Sequence, residues 1–169
     1  MMLNTDMSDL KTFLAENPGA VIEDVARDHG VTPRAVLEAM PAGLVRIGGG
    51  EHFVMAMQDI AEWGELTLIV HTADGIFETT APVSPGAIGH GYYNLTQPKG
   101  LHGHLRHTRC GGVAFVQRAF RGNASAFVAF LNTDGGIMFK VFVGRDDSRA
   151  LKLDQMARFE ALAGLCGAA

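Results

Sequence analysis

The feature that most constrains this chain is a change of hydrophobic period at Leu66. Before it, apolar residues recur at roughly helical spacing; after it, they alternate with a period of two. Seven segments follow in succession: LTLIVHT, GIFETT, GYYNL, LHGHLRH, GVAFVQRAF, ASAFVAFL and GIMFKVFVG. Each is short, rich in branched or aromatic residues, and bounded by Gly, Pro, Asn or Asp. Strands in a row without intervening helices cannot form βαβ crossovers, so the expected sheet is a mostly antiparallel meander. Asn132-Thr133-Asp134-Gly135-Gly136 is a hairpin connection within it.

The flanks read as helical. Ser8 is placed to cap a helix carrying Leu10, Phe13 and Leu14, which ends at Asn17-Pro18-Gly19. A second helix, Val21 to His29, meets Gly30 as its C′ residue, and Thr32-Pro33 opens a third that ends near Met40-Pro41. Phe53 to Trp63 has helical spacing and stops at Gly64, so residues 8 to 63 read as helical throughout, with Gly48-Gly49-Gly50 as a flexible linker. Asp146 to Leu165 carries Leu151, Met156, Phe159, Leu162 and Leu165 on a helical stripe that can cover one sheet face. The expected fold class is α+β: an N-terminal helical segment, a large antiparallel sheet and a C-terminal helix packed on it. Residues 1–64 and 65–169 are the two regions of one compact domain.

With 169 residues, 47% apolar and 19% charged, the chain has a globular composition. The stretch MMLNTDMSDLKTF lacks a basic and then apolar region, so no signal peptide is expected, and no run approaches the ~20 apolar residues of a membrane span. Cys110 and Cys166 lie far apart without zinc-type spacing and read as ordinary thiols of a reducing cytoplasm. A formal charge of −4 gives no general attraction to nucleic acid or anionic membrane. Any anion binding must be local.

A local site of that kind is visible between His71 and His107. Five of the seven histidines lie there: His71, His90, His102, His104 and His107. From Thr79 to Thr133 there is no Asp or Glu, while Lys99, Arg106, Arg109, Arg118 and Arg121 make the window +5 and leave −9 for the remainder. Imidazoles in a basic, carboxylate-free surface suit a ligand with both a transition metal and anionic groups, such as iron porphyrin with its propionates. Strand alternation puts His102, His104 and Arg106 on one face and Leu101, Gly103 and Leu105 on the other. A solvated face is the plain alternative. His71 ends an apolar strand, where a structural histidine bonded to Thr72 or Asp74 competes with an axial ligand to iron. His90 sits between Gly89 and Gly91, a turn or close-approach sequence. Tyr92 and Tyr93 fall on opposite strand faces, and a phenolate is an accepted ligand for ferric haem. His29 and His52 read as surface residues. There is no HExxH, no GxSxG and no dinucleotide loop, and Cys110 has basic neighbours but no activating dyad.

Several blocks in order resemble the HutX/ChuX family of intracellular haem-utilisation proteins. They are Glu62-Trp63-Gly64, Val70-His71-Thr72-Ala73-Asp74, Gly89-His90-Gly91-Tyr92-Tyr93-Asn94-Leu95, Gly103-His104-Leu105 and the run from Phe139 to Asp147. The resemblance covers most of residues 60 to 165. It implies a cytoplasmic, dimeric haem binder that carries or stores haem for a downstream haem-utilisation or haem-degrading protein. It further implies His71 and His104 as the iron-associated histidines. From the residues themselves, His90, Tyr92 and Arg106 are further candidate haem-site residues, with Arg106, on the His104 face, the first candidate propionate partner and Arg118 the second. Tyr93 stands where the family pattern has Phe, and His102 and Pro98-Lys99 depart from it.

Two other functions fit parts of the chain. One is a haem-degrading enzyme related to longer, two-repeat haem-utilisation proteins, since haem oxygenation relies on the bound haem more than on a dedicated acid or base. The other is a DNA-binding regulator, because Ala20 to Leu37 reads as helix-turn-helix. Its recognition helix would offer only Arg34, with Glu38 repelling phosphate, so no nucleic-acid partner is expected.

Overall fold

Residues 6–169 are described by a computed structural model; residues 1–5, the start of the stretch judged for a signal sequence, lie outside the described part. Three short helices come first: α1 (Met7–Glu16), α2 (Ile22–His29) and α3 (Pro33–Ala39). The cap of α1 is Asp6, not Ser8: its carboxylate accepts from the Ser8 amide and adds a favourable negative charge at the helix N-terminus. Gly30 closes α2 in the left-handed conformation, and Thr32 caps α3 ahead of Pro33, both as expected.

The helical reading then fails for four residues. Val45–Gly48 is a strand, β1, paired antiparallel from Val45↔Val116 to Gly48↔Val113. Its last residue, Gly48, and the two glycines that follow are packed, not flexible. A Cβ on Gly50 would stand 2.1 Å from the Cys110 carbonyl oxygen, and one on Gly48 2.4 Å from that of Cys166. Helix α4 (Phe53–Ile60) follows.

The expected meander divides into two sheets. Strands β2 (Glu65–Thr72), β3 (Gly75–Pro82), β7 (Cys110–Phe120), β8 (Asn123–Asn132) and β9 (Ile137–Phe142) join β1 in the order β1-β7-β8-β9-β2-β3, antiparallel throughout. Three short strands, β4 (Ala87–Gly89), β5 (Tyr92–Leu95) and β6 (Gly103–Leu105), form a separate sheet. The predicted strand over LHGHLRH is therefore only three residues long, and β4 is an addition. Between β8 and β9, Asn132 accepts from the amides of Asp134 and Gly136, which sets the predicted hairpin turn.

Central strands β7 and β8 are apolar on both faces because both faces are covered. Val113, Phe115, Val128 and Phe130 pack towards α4, the small sheet and the C-terminal helix α5 (Leu153–Leu165). Ala114, Val116, Phe127 and Ala129 pack towards α1, α2 and α3. On α5 the buried residues are Gln155, Phe159, Leu162 and Ala163, while Leu165 is exposed and Cys166 is buried in its place. Gln155 is tolerated inside because its amide donates to the carbonyls of Trp63 and Glu65 and accepts from the Gly144 amide. None of the described helices is long and apolar enough to cross a membrane.

Candidate functional site: a histidine cup on the small sheet

The small sheet is built around a two-residue turn. His90 and Gly91 both have positive φ, 53° and 82°, the pattern of a tight hairpin whose twist matches its strands. Histidine tolerates this region better than most side chains, and glycine carries the second position. The turn sets the register Ile88↔Tyr93 and Ala87↔Asn94, and β6 then aligns Asn94 with His104. Alternation does the rest. Tyr93 and Leu95 point into the core, and Tyr92 and Asn94 point out beside His104.

The outward face is an open cup of about 550 Å³ lined by His90, Tyr92, Asn94, His104 and Arg106. His104 meets Tyr92 edge to face at 5.9 Å, and the Arg106 guanidinium lies 5.3 Å from the Tyr92 ring centre. His104 Nδ1 is 2.6 Å from Asn94 Oδ1, and Asn94 Nδ2 donates to the carbonyls of Ala87, Gly89 and Tyr92 at 3.2, 3.0 and 3.3 Å. Four residues singled out in the sequence, His90, Tyr92, His104 and Arg106, thus share one surface. Asn94 was missed. Its signal was there: it lies two residues from Tyr92, on the same face of the same strand.

His71 lies elsewhere. It shares a face of β2 with Thr67 and Ile69 and looks across to α2, where its Nδ1 is 3.4 Å from Glu23 Oε2. The other Glu23 oxygen is 2.6 Å from Lys140 Nζ, and all three side chains are largely buried. The partners expected for His71, Thr72 and Asp74, bond each other's turn instead. Beside His71 is a cavity of about 290 Å³ that Arg118, Phe127, Lys140 and Phe142 also line. Arg118 donates to the carbonyls of Pro18 and Ala20; burial lowers its pKa and Glu23 opposes the shift.

The cup and the cavities beside His71 share no lining residue. They also lie on opposite sides of the large sheet: His71 faces the α2 layer, and the small sheet packs on the other face. Within one chain His71 and His104 are not brought together. Among the described residues no group of three or more His, Cys, Asp or Glu is arranged to hold a metal ion.

The remaining candidates are sorted by burial. Tyr93 is fully buried, its hydroxyl donates to the Pro85 carbonyl, and burial pushes its pKa up to about 12. It is a core residue and supplies no phenolate. His102 is exposed and lies outside the cup lining; His107 is half-buried, 6.4 Å from the Phe53 ring. His29 and His52, expected on the surface, are both half-buried. Cys110 and Cys166 are free and buried, and burial raises both thiols above their ordinary pKa, which makes them poor nucleophiles. Arg34 is committed to Glu38 at 2.8 Å and the Gly111 carbonyl at 3.0 Å, and Val36 and Leu37 of α3 are in the core. The cation of the would-be recognition helix is thus held by partners within the protein.

Known proteins share this fold. Residues 46–162 match the family described as Haem utilisation ChuX/HutX. The intracellular heme transport protein HutX of Vibrio cholerae is 35% identical over 151 residues, 89% of this chain and 78% of HutX. The solved heme binding protein ChuX is 35% identical with a TM-score of 0.83, covering 92% of this chain and 97% of ChuX. The heme degrading enzyme ChuS of Escherichia coli O157:H7 has the fold, with a TM-score of 0.73 at 11% identity, and this chain spans 49% of it. By sequence over most of its length and by fold, the chain belongs to the ChuX/HutX haem-utilisation family.

Proposed function

We propose that this protein is a cytoplasmic haem carrier that holds haem as cargo in the His104 cup and passes it to a downstream haem-utilisation protein. The observation that carries the reading is the cup itself: two imidazoles, an aromatic wall and a guanidinium on a lining with no carboxylate. Haem presents an electrophilic iron, an apolar ring and two anionic propionates. His104 supplies the axial nitrogen, Tyr92 stacks against the porphyrin, and Arg106 pairs with a propionate. His71 is the second iron-associated histidine, in its own cavity beside Lys140 and Arg118. The relatives with more than 30% identity support carriage over degradation, since HutX is named a transport protein and ChuX a binding protein.

The protein works as a homodimer in this reading. Among the described residues the outer edge of β3 has no pairing strand, and Ile76 and Phe77 are exposed at 57% and 69%, a surface suited to a symmetric partner.

Haem titration of the wild type and of His71→Ala and His104→Ala tests the assignment. Each substitution is expected to alter the Soret band, and unchanged spectra and affinity in both would sink it. Adding a reductant should shift the Soret band as the iron is reduced but keep its intensity; its loss with release of pigment would favour the degrading enzyme.

A further inference from the structure

The cup contains a device that prepares His104 before any ligand arrives. Asn94 and His104 are cross-strand partners in the β5–β6 pair, and their side chains meet at 2.6 Å. Which atom of the Asn94 amide faces His104 is decided by its other contacts. Nδ2 is ringed by three carbonyl oxygens, those of Ala87, Gly89 and Tyr92, at 3.0 to 3.3 Å. Turning the amide over would press its oxygen against those three acceptors and leave it facing only lone pairs, so the nitrogen must stay where it is. Oδ1 therefore faces His104 Nδ1, and an acceptor at that distance requires a proton on Nδ1.

We infer that Asn94 is a positioning residue that locks neutral His104 as the Nδ1–H tautomer and so presents the Nε2 lone pair to the cup. This rests on the reading of His104 as the iron ligand. An unconstrained neutral histidine favours the opposite tautomer, with the proton on Nε2, which cannot ligate until the proton moves. Here no proton has to move. The Nε2 lone pair is free to bond iron, the proton stays on Nδ1 and is donated to Asn94 Oδ1, and departure of haem returns the same neutral imidazole.

The kind of acceptor matters as much as its place. A carboxylate in this position would draw the proton and make the imidazole a stronger donor, as in the carboxylate–histidine pairs that tighten metal sites. An amide oxygen orients the ring without adding charge. The result is a ligand that is preset for iron and still exchangeable, as a carrier requires.

The wild-type protein free of haem tests the lock directly. Long-range ¹H–¹⁵N spectra at pH 8 should show a protonated Nδ1 and an unprotonated Nε2 for the resonance that disappears in His104→Ala. A proton on Nε2 overturns the inference, with no variant required. In Asn94→Ala the tautomer should relax towards Nε2–H, haem transfer to apomyoglobin should quicken about 10-fold, and the iron–histidine vibration of the ferrous complex should fall in frequency. An Asn94→Ala protein with unchanged tautomer and vibration also overturns it. A locked tautomer combined with unaltered haem spectra in His104→Ala would leave the positioning role standing and remove His104 as the iron ligand.

Discussion

The two histidines that the family blocks single out live in opposite surroundings. His104 is exposed, faces a shallow open cup and touches a neutral amide. His71 is largely buried against a carboxylate that is itself held by a buried ammonium. The same side chain is thus oriented in one place by a dipole anchored to three carbonyls and in the other by full charges. A neutral partner costs little to keep and leaves the imidazole exchangeable. A buried charged partner demands complete pairing, because each ion removed from water depends on the other.

That contrast can be broken by substitution. The largest effect is expected from Lys140→Met. It leaves Glu23 buried without its ammonium, and breaking a buried pair in this way costs about 3 kcal/mol. The urea midpoint of the protein should fall accordingly, and an unshifted midpoint would mean that the charges around His71 carry no structural weight.

Tyr93, in the core behind the cup, comes next. Its pKa is raised by burial to about 12, so the fold favours the protonated hydroxyl. Its stability contribution is intact below the ordinary tyrosine value near ~10 and is lost as pH rises from there through the raised value, amounting to roughly 2–3 kcal/mol. Stability measured between pH 8 and 12 should decline more steeply in the wild type than in Tyr93→Phe. Parallel curves would show that the hydroxyl is not held in the core.

Arg106→Ala should do least. The guanidinium is exposed, and its loss removes one cation–π contact and one propionate partner. About 5-fold weaker haem binding, with a shallower dependence on salt, is the expected result. Equal salt dependence in the two proteins would reassign the propionate contact to another cation.

Much of the cup was legible in advance because it is local. The glycines around His90 mark the turn, and a period of two separates Tyr92 from Tyr93 and puts His104 and Arg106 together. Asn94 was overlooked because attention to metal and charge chemistry passes over a neutral amide. The Glu23–His71 contact was beyond reach, since the two residues belong to α2 and β2 and meet only when that helix packs on the sheet. β1 was hidden for a related reason. Four residues are too few to display a period, and their strand conformation comes from pairing with β7.

By itself the sequence determined the change from helix to strand near Leu66, the outward face of β5 and the carboxylate-free character of the surface around it. Those properties follow from alternation and turn chemistry, which act over a few residues. Only the tertiary structure decided that the strands split into two sheets, that Tyr93 is core and not ligand, and that His71 and His104 stand on opposite sides of one sheet. Those depend on which segments, distant along the chain, exclude water from one another, and local period carries no record of that choice.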